Sequence, residues 1–211
     1  DLNKRGNDAF GRGQYRGALN YFQQALDIAR EVGNRAGEGR SLNIIGGVYQ
    51  HQGLYEQALE NYNQALVIHR EVGNRAGEGD SYNNIGYVYF RLVLFEQALE
   101  NWKQALVIRR EVGDRSGEGV TLNGIGEVYR YQGLYEQALE NYNQALVIIR
   151  EVGNRAGEGT TLNNIGLVYD HLGLNEQALE NYNQGLVIAR EIGYKPLEET
   201  VLENIADMSD N

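Results

Sequence analysis

Shifted against itself by 40 residues, the chain brings Gly6, Gly46, Gly86, Gly126 and Gly166 into register, with Ala206 at the sixth place. The same shift aligns Ala18, Ala58, Ala98, Ala138 and Ala178, and the large anchors Phe22, Tyr62, Trp102, Tyr142 and Tyr182. A fixed period of this length is the mark of a stacked array, in which each unit is one supersecondary element unable to bury its apolar face alone. The segment 71–79 recurs verbatim at 31–39 and 151–159, so these joints are expected to share one structure.

Within residues 35–74 the spacing predicts two helices separated at Gly53, where a residue able to take positive φ reverses the chain. In the first, helix A, Leu42, Ile45, Gly46 and Tyr49 share a face. In the second, helix B, Tyr55, Ala58, Leu59, Tyr62, Ala65, Leu66 and Ile68 form a broad apolar stripe. Charge placement agrees with the helix dipole. Glu56, Glu96, Glu136 and Glu176 open helix B, and Arg30, Arg70, Arg110, Arg150 and Arg190 close it. Gly33, Gly73, Gly113, Gly153 and Gly193 then fall where a left-handed residue ends helix B, and Asn34, Asn74, Asp114 and Asn154 where a side chain caps the next helix A. The segment from Pro196 to Met208 repeats helix A without a partner and is read as a cap or the start of a further repeat.

Composition narrows the function. Twenty-seven Gly beside one Pro would read as disorder if the glycines did not recur at fixed places. A net charge of −10 opposes nonspecific nucleic-acid binding, which needs a cationic footprint. No apolar run is long enough to cross a bilayer, so no membrane partner is expected. The absence of Cys excludes disulfides and thiolate metal sites and fits a reducing compartment, so a cytoplasmic location is expected. The chain begins at Asp1 with no signal-peptide pattern and reads as an excised fragment. His51, His69 and His171 are scattered among repeats and are expected to face solvent, giving no metal site. The Gly-Glu-Gly segments lack the strand and the Lys-Ser or Lys-Thr of a phosphate loop and read as helix starts. Glu56 and Glu60 sit on a solvated helix with no cleft to raise a pKa. No catalytic residue and no cofactor are expected.

Ile45-Gly46, Tyr49, Gly53, Tyr55, Ala58, Tyr62 and Ala65 resemble the tetratricopeptide repeat pattern, over five repeats and nearly the whole chain. That family's usual period is about 34 residues, so the chain is similar to a long-helix variety. Its Leu-Asn-Asn-Ile-Gly motif, as at 162–166, resembles Pins-type polarity adaptors and bacterial, especially cyanobacterial, arrays, which often precede a caspase-like or other effector domain. The resemblance implies an all-α fold, a right-handed α-solenoid of five hairpins at 1–34, 35–74, 75–114, 115–154 and 155–194, with a C-terminal capping helix at 195–211. It also implies protein or peptide binding on a concave surface lined by helix A.

Around helix A, at about 100° per residue, Asn43 lies about 100° from Leu42, Gln50 about 80° and Gly47 about 140°. In tetratricopeptide proteins the equivalent stripe lines the groove. Three rows follow by adding 40: Asn3, Asn43, Asn83, Asn123 and Asn163; Asn7, Gly47, Tyr87, Glu127 and Leu167; and Phe10, Gln50, Phe90, Arg130 and Asp170. An amide ladder suits an extended peptide backbone, with the two varied rows choosing side chains. The other role open to the Asn row is to bond neighbouring helices and fix the repeat angle. Tyr87, Phe90, Arg130 and Tyr131 are expected to supply an aromatic and cationic pocket, or to pack on adjacent helices.

The third repeat breaks the pattern: Val93 stands where Gly occupies 13, 53, 133 and 173. A β-branched residue resists positive φ. Either the turn is rebuilt with ordinary dihedrals, or helices A and B join and the array exchanges halves with a second chain, with Leu92, Val93 and Leu94 forming a homodimer contact. The function expected is a non-catalytic interaction scaffold holding an extended peptide or partner helix. The alternative is a structural spacer or oligomerisation arm of a larger, effector-bearing protein.

Overall fold

A computed structural model describes residues 1–209 of the chain. These residues form eleven helices: α1 (Leu2–Gly11), α2 (Tyr15–Glu31), α3 (Arg35–His51), α4 (Tyr55–Glu71), α5 (Arg75–Arg91), α6 (Phe95–Val112), α7 (Arg115–Tyr131), α8 (Tyr135–Glu151), α9 (Arg155–His171), α10 (Asn175–Glu191) and α11 (Lys195–Ser209). The odd-numbered helices are helix A of successive repeats and the even-numbered ones helix B, in all-α repeat-solenoid order. The chain divides into two units, Asp1–Val112 and Gly113–Asn211. In the first unit each helix from α1 to α6 packs on its sequence neighbour, and α3 also meets α5. In the second unit α7 to α11 follow the same rule, with α7 against α9 and α9 against α11.

The small and large anchors of the repeat meet inside each hairpin. A Cβ placed on Gly46 would lie 2.7 Å from the Tyr62 ring, on Gly86 2.8 Å from Trp102, on Gly126 2.8 Å from Tyr142, and on Gly166 2.6 Å from Tyr182. The glycine therefore gives up its side chain so that an aromatic ring can lie on the helix backbone. Tyr62, Tyr142 and Tyr182 are fully buried, and each such ring contributes on the order of 1.5–3 kcal/mol of apolar burial.

Helix ends follow the punctuation. Gly33, Gly73, Gly113, Gly153 and Gly193 take φ between 67° and 73°, and the Asn34, Asn74, Asn154 and Tyr194 amides bond back to helix B, as in Asn74 N–H to the His69 carbonyl at 2.8 Å. The side chains of Asn34, Asn74, Asp114 and Asn154 then accept the Gly37, Gly77, Gly117 and Gly157 amides at 2.9–3.0 Å. Val93 departs from both expectations. The turn is neither rebuilt nor lost, because Val93 itself takes φ 61° and occupies the left-handed region beside its glycine counterparts.

The joints after Gly33 and Gly73 in the first unit and after Gly153 in the second carry an ion network built on the Glu of the Gly-Glu-Gly motif. Glu38 accepts Arg30 Nε at 3.0 Å and Arg35 at 2.5 Å, and Arg35 continues to Glu71. Glu158 repeats the arrangement with Arg150 at 2.8 Å and Arg155 at 2.5 Å. Burial alone would raise the Glu38 and Glu158 carboxyls, but the paired guanidiniums outweigh it and hold both below the ordinary range.

Candidate functional site

The Asn row is half-buried or buried except at Asn3, and its amides meet neighbouring helices. In the first unit, the Asn43 side chain of α3 lies 3.1 Å from the Ser81 hydroxyl of α5 and 3.4 Å from Nε2 of His69 in α4. The Asn83 carbonyl accepts the Trp102 indole N–H at 3.1 Å. In the second unit, Asn123 Nδ2 donates to Thr161 at 2.8 Å, and Asn204 Nδ2 donates to Asn163 at 2.8 Å. The Asn43–Ser81, Asn123–Thr161 and Asn163–Asn204 bonds join one helix A to the next, the repeat-fixing geometry, whereas the His69 contact and the bond to the Asn83 backbone carbonyl run between helices A and B of one hairpin.

The varied rows are also partly engaged. In the first unit Asn7 is exposed, and Phe10 packs edge-on against His51 at 4.8 Å. Gln50 accepts the Tyr62 hydroxyl at 2.9 Å. Tyr87 accepts from Arg91 at 3.1 Å, and the Phe90 ring lies 5.9 Å from Trp102 and 6.1 Å from Phe95. In the second unit Glu127 accepts both Arg130 at 2.8 Å and the Tyr142 hydroxyl at 2.7 Å, and Arg130 stacks 4.4 Å from the Tyr131 ring centre. Burial opposes charge on Arg130, yet Glu127 more than offsets it and holds the guanidinium protonated. Asp170 is half-buried. The buried Tyr182 hydroxyl has no hydrogen-bond partner among the described residues, because Leu167 replaces the acceptor that Glu127 gives Tyr142.

The first unit holds two cavities that repeat with the period. One is lined by Asn3, Ala29, Asn34, Gly37, Arg40 and Ile44 among others, the next by Asn43, His69, Asn74, Gly77, Asp80, Arg40 and Ile44. Asn3, Ala29, Asn34, Gly37 and Arg40 become Asn43, His69, Asn74, Gly77 and Asp80 on adding 40. Arg40, Ile44, Asp80 and the position 29 and 69 column did not emerge from the stripe drawn on helix A alone. Asp80 is paired with Arg109 at 3.3 Å.

His69 corrects the expectation of a solvent-facing histidine. It is 1% exposed, whereas His51 and His171 are exposed. Its Nδ1 lies 3.1 Å from Nδ2 of Asn74. The Asn74 oxygen is already held by the Gly77 amide, so its NH2 group faces the ring and Nδ1 is the lone-pair nitrogen. Burial lowers the His69 pKa, Asp80 and Glu78 act to raise it and Arg40 to lower it further. The column that contains it reads Ala29, His69, Arg109, Ile149 and Ala189, and alignment at 40 would have placed His69 among buried residues.

Leu92, Val93 and Leu94 are 40%, 66% and 39% exposed, and Leu54, Leu134 and Leu174 match Leu94 at 40%. Val93 is thus the apolar addition peculiar to this turn. Among the described residues no three His, Asp or Glu converge as a metal site would require, and no helix is long and apolar enough to cross a membrane.

Antiparallel helix pairs, a glycine under an aromatic ring in each, and a recurrent A-to-A joint define a helical-hairpin repeat protein. The family model described as tetratricopeptide repeat matches residues 2–71, 38–111, 77–151 and 117–191, and the chain belongs to that family. No curated protein sequence matches it significantly. Among solved structures, it is similar to BtubC (BKLC) from P. vanneervenii, with 21% identity over 89% of this chain and 78% of that one and a TM-score of 0.79. It is similar to a Rap protein complexed with Competence and Sporulation Factor, with 18% identity, 99% and 62% coverage and a TM-score of 0.84, so it spans less than two thirds of that protein. A putative kinesin light chain from Podosopora anserina with nearly identical TPR-like repeats shows 16% identity, 90% and 94% coverage and a TM-score of 0.70. At these identities the likeness is one of fold.

Proposed function

We propose that the chain is a non-catalytic protein-interaction scaffold that holds an extended segment of a partner across its helix A surface. The observation that carries this reading is the pair of cavities in the first unit, built from the same positions 40 residues apart and sharing Arg40 and Ile44 as a common wall. Sites spaced by a repeat suit a ligand that is itself extended, because such a ligand offers side chains at regular intervals. The Rap protein complexed with Competence and Sporulation Factor gives a precedent for ligand binding on this fold. Ligand contact is assigned to the exposed or half-buried members of the rows: Asn3, Asn7, Asn43, Gln50, Asn83, Tyr87 and Phe90 in the first unit, and Asn123, Glu127, Arg130 and Asp170 in the second. Asn163, buried and bonded to Asn204, contributes by holding its joint.

A random-sequence linear peptide library displayed on phage, panned on the full chain, tests the reading. Ile44→Glu places a charge on the shared wall at a position already 36% exposed, where the fold tolerates it. Enriched peptides are expected to lose at least about tenfold in affinity for this variant, the effect of an unpaired charge facing a bound side chain. Peptides that bind both forms equally place recognition elsewhere. A library that yields no binder favours the spacer reading.

A further inference from the structure

Three tyrosines hold the same place in three hairpins, yet their hydroxyls end in three different ways. In the first unit Tyr62 donates to Gln50 at 2.9 Å. In the second, Tyr142 donates to Glu127 at 2.7 Å, and Arg130 closes that corner by pairing with the same carboxylate at 2.8 Å. Tyr182 packs on Gly166 at least as closely as Tyr62 on Gly46 and Tyr142 on Gly126, so its hydroxyl is aimed between positions 167 and 170. Neither residue there reaches it. Leu167 carries no acceptor, and Asp170 is one methylene shorter than Gln50. The Tyr182 hydroxyl is therefore buried with no hydrogen-bond partner among the described residues, a costly state for a polar group and one that calls for an explanation.

The groups around this hydroxyl favour one kind of ligand. Asp170 is half-buried in the last turn of α9 and enters no ion pair or side-chain hydrogen bond among the described residues. A carboxylate there also opposes the helix dipole, whose negative end adds to its field. Asp207, forty residues after Leu167, brings further negative charge from α11, while the nearby Arg130 guanidinium is already paired with Glu127. Burial raises the Tyr182 hydroxyl above its ordinary range, Asp170 and Asp207 add to this and Arg130 opposes it, so the proton stays on oxygen. Leu167, half-buried against the Tyr182 cluster, lays an apolar strip beside the carboxylate. We infer that this corner of the second unit, made by Leu167, Asp170, Asp207 and the Tyr182 hydroxyl, is a subsite for a Lys or Arg side chain of the bound segment. The aliphatic stem lies along Leu167 and the charged head pairs with Asp170 in the field of Asp207. As Asp170 turns aside to meet it, the Tyr182 oxygen accepts a further N–H. This rests on the groove reading above and names a side chain that the groove selects.

The test pans the same phage library on the full wild-type chain with counter-selection on Asp170→Asn, which keeps the side chain's shape and removes its charge. The surviving peptides are expected to share a Lys or Arg. One of them, and its counterpart with that residue replaced by Gln, are then titrated calorimetrically against both proteins. Each single change is expected to cost about tenfold in affinity, and the two together little more than either, because both remove the same pair. Glu180→Gln removes an equal charge at an exposed site on α10 and is expected to leave affinity unchanged. Tyr182→Phe should lower affinity about fivefold, the share of one hydrogen bond, with no loss of stability in chemical denaturation, since the hydroxyl has no partner to lose. Survivors without a basic residue overturn the inference, as do additive losses, or an equal loss with Glu180→Gln, which would mark general attraction to a chain of net charge −10. Binders that Ile44→Glu abolishes, with none that distinguishes Asp170→Asn from wild type, also overturn it and leave the groove reading standing. No binder on any form removes both.

Discussion

The turns at Gly53 and Val93 have the same shape and different residues. Gly53 takes φ 73° and Val93 φ 61°; the Leu54 amide reaches the Tyr49 carbonyl at 2.9 Å, and the Leu94 amide reaches Tyr89 at 2.9 Å. A left-handed backbone costs an L-residue roughly 1–2 kcal/mol, and a β-branched side chain adds crowding. The third repeat bears that cost. Its geometry must therefore be imposed from outside the turn, by the packing of α5 on α6, where Trp102 lies on Gly86, Phe90 packs against Trp102 and Phe95 against Phe90. In this array helix packing decides the turn, and glycine only removes the strain.

Removing the packing should break the equivalence most severely. Trp102→Ala empties a site that is 3% exposed and strips the Asn83 carbonyl of its indole donor, so a loss of about 3–5 kcal/mol is expected in chemical denaturation. Because the left-handed Val93 depends on that packing, amide exchange at Val93 and Leu94 should accelerate more than exchange at Gly53 and Leu54. Equal acceleration at both turns would show that the Val93 turn holds its shape by itself.

The next largest effect goes in the opposite direction. Val93→Gly relieves the left-handed strain, while the added freedom of Gly in the unfolded chain takes back part of the gain, leaving a net stabilisation of about 1 kcal/mol. Gly53→Val should destabilise by a similar or larger amount, since Tyr62 replaces the larger Trp102 against its hairpin. Light scattering on wild type and Val93→Gly addresses the homodimer proposed for Leu92, Val93 and Leu94. A monomer in both removes it, and a dimer lost with Val93→Gly sustains it.

What the sequence made legible is whatever depends on chain-local chemistry. The glycines ending helix B, the Asn and Asp caps and the Gly46 to Tyr62 pairing all follow from residue type and spacing, and each recurs in several copies. The left-handed Val93 lies beyond local preference because it depends on Trp102, a tertiary contact. His69 departs from its local pattern because the last turn of helix B reads as solvent-facing on a single helix. Its burial arises only when Gly39 and Gly77 from two helix A segments leave room around it. The groove rows rest on angle around helix A, and angle does not register that an amide such as Asn123 is already bonded to Thr161.

The smallest expected effect compares the joint at His69 with the one at Ile149. Folded His69 has a pKa below its ordinary value, first because of burial, with Arg40 adding to the shift and Asp80 and Glu78 opposing it. The unfolded chain therefore takes up the proton at higher pH than the folded chain. Stability is full above the unfolded pKa of about 6.5, falls as pH drops through it, and stops falling below the folded pKa. The proton would add to Nδ1, where it breaks the bond to Asn74, the side chain that caps α5. Acid should thus loosen the start of α5 in particular. Thermal unfolding at pH 7.5 and 5.5 is expected to show a small decrease in midpoint from this group at the lower pH. His69→Ile copies Ile149, which cannot titrate, and should remove that part of the acid sensitivity while general acid effects persist in both proteins. An identical pH dependence in the two would mean that imidazole protonation is not coupled to the α4–α5 joint.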